Sequence, residues 1–179
     1  MKHAFFLAVL AAPAALFAQA QSVALVSKAF VVKQVPDGPG KTKNTLVVPE
    51  RVLPGEALVF MLEYKNTGVK PAAAFVINNP IPANVIYTGV EQPWAEVSVD
   101  RGKTFGQLSV LKVAKGDGTM RAALTTDVTA VRWKFAQPIP AAGEGRVTFC
   151  LSVKAGAHHG LEVPVRQAGA RDQRRDLHI

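Results

Sequence analysis

The chain has 179 residues, with 21 Lys and Arg against 13 Asp and Glu for a formal charge of +8, and a single cysteine. One cysteine excludes an internal disulfide framework, so the chain must fold on its hydrophobic core. The basic residues are scattered, without the clustering and interleaved aromatics of a nucleic-acid surface. Nucleic acid is therefore disfavoured as a partner, while the net charge favours acidic ones such as lipopolysaccharide, anionic lipid heads or acidic polysaccharide.

The first 20 residues read as an export signal: a basic start at Lys2 and His3, an apolar run over 4–17, and Ala18-Gln19-Ala20 as the small-residue boundary. The alternative, an uncleaved anchor, needs about 20 apolar residues to span a bilayer, and this run is shorter. Cleavage after Ala20 leaves 159 residues (179 minus 20), enough for one domain, and the localisation expected is periplasmic or secreted. No second long apolar run follows, so no transmembrane segment is expected, and no cysteine follows the signal to carry a lipid.

The domain is placed at 21–153. "VALVSKAFVV" at 23–32 is a β-branched strand ended by the turn cluster "PDGPGK". "TLVVPE" is a short strand that Pro49 marks as an edge or an end. The Pro54-Gly55 turn leads into "ALVFMLEYKN", where Leu58, Phe60, Leu62 and Tyr64 share one face and Ala57, Val59 and Met61 the other. A strand apolar on both sides belongs in the middle of a sheet.

"NTG" at 66–68 is a turn, "AAAFVINNPIP" a strand ended by Pro80 and Pro82, and "NVIYTG" a further short strand. "WAEVSVD" and "FGQLSVLKV" are expected to pair as a hairpin about "DRGK", with Gly102 free to take positive φ. After the loop "AKGDGTM" come "AVRWKFA", with Val131, Trp133 and Phe135 on one face, and "GRVTFCLSV", with Val147, Phe149, Leu151 and Val153 alternating. Seven to nine short strands without sustained helical periodicity predict an all-β antiparallel sandwich. The segment 154–179 has few large apolar residues, with Arg166, Arg171, Arg174 and Arg175 among Asp172 and Asp176, and reads as a mobile basic tail in which "LEVPV" offers one last edge strand.

The stretch 51–89 resembles the conserved repeat domain of bacterial envelope proteins known as domain of unknown function 11. The matching elements are Pro54-Gly55, the strand 58–64, Asn66-Thr67-Gly68, the small-residue-led strand 72–77 and the Pro-to-Tyr step 82–87. Val131-Arg132-Trp133 and Gly145-Arg146-Val147-Thr148-Phe149 are similar to that family's closing signature, so the resemblance covers most of 46–153. It implies an immunoglobulin-like sandwich with a structural or adhesive role and no catalytic residues to carry over. This chain departs from the pattern in a longer insert around 91–128 and in having one copy, which speaks against a repeat array such as a surface stalk.

"SVDRGKTF" at 98–105 is similar to the Asp-box hairpin of sialidases and other β-propellers. A short carboxylate that accepts from turn amides, next to a glycine, also explains it as a turn. A sialidase needs several such repeats and a propeller, for which the chain is too short. Glu91, Glu96, Asp100, Asp117 and Asp127 are the carboxylates that a glycosidase pair would draw on, and they read as solvated loop and strand positions. "KGDGT" around Asp117 lacks the alternating acids of a calcium loop and reads as a turn.

Cys150 reads as a half-buried strand residue, with an intermolecular disulfide or reactive thiol as the alternative. His158-His159 has no third ligand at metal spacing. No cofactor, metal or catalytic residue is therefore expected. The reading is a non-enzymatic exported sandwich with an envelope or surface protein partner at an exposed sheet edge. The alternative is a small carbohydrate-binding or glycan-processing domain in which the insert 91–127 presents Trp94, with Glu96 and Asp100, to a sugar; Trp94 in the core would remove its anchor.

Overall fold

The computed structural model describes residues 23–155, and these are all-β. Ten strands occur among them: β1 (Val23–Pro36), β2 (Thr42–Val47), β3 (Ala57–Asn66), β4 (Val76–Pro80), β5 (Val85–Val90), β6 (Glu96–Ser98), β7 (Lys112–Ala114), β8 (Met120–Ala122), β9 (Ala130–Lys134) and β10 (Glu144–Val153). Two single 3₁₀ turns, Leu108–Val110 and Thr125–Asp127, complete the inventory. The expected signal over 1–20, the tail from 156 onward, "LEVPV" and His158-His159 lie outside the described residues.

A five-stranded antiparallel sheet in the order β2-β1-β3-β10-β5 packs on a three-stranded sheet in the order β4-β9-β6, and β7 and β8 form a separate hairpin. Alternation sets this arrangement, because a one-residue slip would move every buried side chain to the opposite face. Leu58 and Leu62 of β3, Val147, Phe149 and Leu151 of β10, and Val31 of β1 meet Ile77, Val97, Val131 and Trp133 of the smaller sheet in one core. Trp133 and Phe149 sit at its centre, both fully buried with ring centroids 5.8 Å apart. Burial of each large apolar side chain contributes about 1.5–3 kcal/mol, so these rows hold the register. β3 is central as its two apolar faces require, with Val59 and Met61 also buried on the outer face.

The strand expected over 45–50 is β2 at Thr42–Val47, the expected loop 114–120 is the turn of the β7–β8 hairpin, and three further segments differ from the sequence expectation. β1 continues past Val32 to Pro36 because 31–36 pairs with β2 across a turn closed by Asp37 N–H to Lys41 O at 2.8 Å. The strand expected over 72–82 is regular only from Val76 to Pro80: Ala74 takes φ +52°, and Ala72 forms an isolated bridge to Ile139. The second arm of the expected 94–113 hairpin shrinks to one bridge, Val97 to Gly106, followed by a 3₁₀ turn. There the Gln107 side chain replaces the backbone ladder, donating from Nε2 to Ala95 O at 2.9 Å.

Asn66 ends β3 as a buried junction. Its Oδ1 accepts from Gly68 N–H at 2.9 Å, and its Nδ2 donates to Lys70 O at 2.8 Å and to Ile139 O and Pro140 O at 3.0 Å. The "NTG" turn is thereby joined to the segment that leads into β10.

Candidate functional site

The Asp100 turn is built almost entirely from its own residues. Ser98, fully buried at the end of β6, accepts from Gly102 N–H at 2.8 Å through Oγ and donates to Asp100 Oδ1 at 2.7 Å. Asp100 Oδ1 also accepts from Lys103 N–H at 3.0 Å and Thr104 N–H at 2.9 Å, and Oδ2 accepts from Thr104 Oγ1 at 2.6 Å. Arg101 and Gly102 both take positive φ, as the two central positions of a type I′ turn require. The Thr104 hydroxyl and amide, followed by Ser98, hold the Asp100 carboxyl well below the usual carboxylate range. A carboxylate engaged in this way is ionised at any physiological pH and has its lone pairs committed to the turn.

Glu96 stands opposite Arg132 in the β6–β9 register, and Arg132 Nε and Nη2 donate to Glu96 Oε2 at 2.9 and 2.6 Å. The same guanidinium lies 4.0 Å from the centroid of Phe105, so an ion pair and a cation–π contact share one cation. In the sequence Arg132 shows only as an outward position in the alternation of β9 and as part of Val131-Arg132-Trp133, neither of which names its partners; those come from strand register.

Trp94 is neither in the core nor joined to the other two candidates. It is 44% exposed and meets Phe135 edge-on at 5.2 Å, and Phe135 packs in turn on Tyr64 at 4.9 Å and Phe75 at 5.4 Å. Among the described residues no hydrogen bond or ring contact links Trp94 to Glu96 or Asp100. The position between the sheets is filled by Trp133 instead.

The other carboxylates are also engaged separately. Asp117 accepts from Thr119 N–H at 2.9 Å and Thr119 Oγ1 at 2.6 Å, which lowers its pKa and makes "KGDGT" the turn between β7 and β8. Asp127 receives a two-pronged contact from Arg121 at 2.5 and 2.7 Å and caps Leu124 N–H at 2.8 Å. Glu91 is exposed. No group of three or more His, Cys, Asp or Glu placed to hold a metal ion occurs among the described residues. Cys150 is half-buried opposite Val59 and Gly89, and burial, with Glu91 adding to it, pushes its thiol up, so it is protonated at neutral pH.

The remaining candidate is an edge. β1 pairs with β3 from Val23 to Val31, but β2 pairs with β1 only from Val31 to Pro36. Pro49, just past the end of β2, has no N–H with which to prolong the ladder. The side of Val23–Phe30 away from β3 therefore meets no strand among the described residues, and it forms a step in the sheet. Leu25 and Val26 on β1, Val47 at the end of β2 and Val48 just past it are 48%, 38%, 42% and 61% exposed around that step.

No protein-family model, curated protein or solved structure matches this chain.

Proposed function

We propose that this is an exported, non-enzymatic β-sandwich of the bacterial envelope whose role is to bind another protein chain at the open edge of β1. The observation that supports it is the step itself, eight residues of strand with one side that meets no strand among the described residues, bordered by exposed Leu25, Val26, Val47 and Val48. Such an edge offers backbone donors and acceptors to an incoming strand, and alternate side chains supply selectivity. The resemblance of 46–153 to an envelope repeat domain and the signal-like start agree with this reading. A photoreactive residue at Val26 in cells expressing the full-length gene should give covalent protein adducts, and one at the exposed, off-edge Val110 should not. Equal adduct formation at the two positions, or none, refutes the reading.

The alternative, carbohydrate binding, is favoured by one observation, the exposed indole of Trp94. Trp133 is fully buried, so the solvent-exposed tryptophan emission belongs to Trp94. A polysaccharide ligand should shift that emission, and Trp94→Ala should abolish the shift.

A further inference from the structure

Among the described residues, the other strand edges of the sandwich are guarded and the step on β1 is not. The 3₁₀ turn Thr125–Asp127 lies against β5. The Gly106 bridge and the Gln107 side chain occupy the free side of β6. β4 carries Asn78, Asn79 and Pro80, and the exposed residues of β2 include Thr42, Lys43 and Asn44. Proline, charge, polar residues and covering loops are the usual means of preventing edge pairing. Val23–Phe30 contains neither proline nor glycine, and its one charge, Lys28, is drawn onto Glu63 of β3 at 2.7 Å.

We propose that the occupant of this step is β1 of a second copy of the same chain, paired antiparallel about a two-fold axis at Val26. This rests on the edge reading of the preceding subsection and names its partner. The step is self-complementary: each copy contributes a strand as long as the gap it fills, and the end of each β2 stops short of the incoming strand.

The register follows from the residues. Opposed residues in an antiparallel pair lie on the same face, so the sum of their numbers here is even. Placing the axis at Ser27 sets Val23 opposite Val31, whose free side is taken by Val47 of β2. Placing it at Lys28 sets two ammonium groups face to face. With Val26 on the axis, Ala24 meets Lys28, Leu25 meets Ser27 and Val23 meets Ala29, all within the gap. Val26 then packs on its own copy on the outer face and Leu25 approaches its copy diagonally on the inner one, covering the two exposed large apolar side chains of β1. The two five-stranded sheets become one of ten.

A strand pair of this length is a small interface, below roughly 1,200 Å², so dissociation is expected in the micromolar range. Protein exported from cells carrying the full-length gene should sediment as a monomer near about 1 µM and at twice that mass near about 200 µM. Val26→Lys and Val26→Glu each set like charges across the axis and should weaken self-association at least about tenfold. Val26 is 38% exposed, so circular dichroism should stay unchanged in both, and melting should hold in V26K but fall slightly in V26E, which sets a carboxylate opposite Glu63 of β3. An equimolar mixture of V26K and V26E sets ammonium against carboxylate and should recover the dimer.

A wild-type chain that stays monomeric over that range, a dimer indifferent to V26K, or a mixture that does not recover overturns the proposal. Amide hydrogen exchange separates its failure from that of the edge reading. A monomer whose 23–30 amides exchange freely on alternate residues overturns self-pairing alone, because the edge is then open to another protein. A monomer with all of those amides protected has its edge filled from within and overturns both.

Discussion

Replacement of Asn66 tests how the two halves of the sandwich are joined. Its side chain is fully buried, and its amide group serves Lys70 O, Ile139 O and Pro140 O while its carbonyl receives Gly68 N–H. Asn66→Ala strands these groups, and a buried polar group left without a partner costs about 1–3 kcal/mol. Because part of this site remains within reach of water, a total loss of about 3 kcal/mol is expected. For a domain of this size that corresponds to a fall of roughly 10 °C in Tm.

Asn66→Asp keeps the shape but turns a donor into an acceptor that faces three carbonyl oxygens. Its ionised form is disfavoured in the fold, so the folded-state pKa of the new carboxyl lies above its unfolded value of about 3.9. The folded chain then holds a proton that the unfolded chain has released, and stability falls as pH rises through that window. The deficit of N66D relative to wild type should therefore be smallest near pH 4 and widen toward pH 7. Urea titrations at several pH values, followed by emission of buried Trp133, measure it. A deficit below about 1 kcal/mol for N66A, or a pH-independent one for N66D, would refute the reasoning.

A Cβ at Gly145 would fall within clash distance of Tyr64 Oη and Cζ, and the Tyr64 ring is held by Phe75 and Phe135, so Gly145→Ala should cost about 1–3 kcal/mol. Tyr64→Leu in the same chain should recover part of that loss, and a thermal double-mutant cycle showing simple additivity would contradict the contact. The folded-state pKa of Asp100 is depressed, so its contribution is fully present above the unfolded value and is lost only as pH falls through the lower folded one. The Lys103 and Thr104 amides should accordingly stay protected from exchange at pH 4 and lose protection in Asp100→Ala, as NMR exchange at those two positions would show. Cys150 should react slowly with a thiol reagent at pH 7.5, and its rate should rise only above the usual thiol range, since burial raises its pKa. A rate at pH 7.5 equal to that of free cysteine would contradict its burial.

Much of the strand content can be read along the chain. In β10 the alternation of large apolar residues states both the strand and its buried face, and in β3 the run apolar on both sides states a central place in the sheet. The Asp100 turn is equally legible, because every donor to its carboxylate lies within four residues and Gly102 permits the positive φ. Where such local signals were extended too far, tertiary competition decided the outcome. "FGQLSVLKV" alternates like a strand, but Gln107 caps Ala95 from the side and the ladder stops at Gly106.

What a sequence carries by itself is what neighbours a few residues apart can settle: periodicity, turn chemistry, and the places where Pro and Gly interrupt. That determined an all-β chain with a central β3 and a tight turn at Asp100. Two of the partners of Asn66 lie 73 and 74 residues away, Glu96 and Arg132 are separated by 36, and the edge on β1 exists because the pairings of β2 and β3 with β1 overlap only at Val31. Register between distant strands is a sum over all their cross-strand contacts at once, and only the assembled sheets fix which residues meet and which edge is left open.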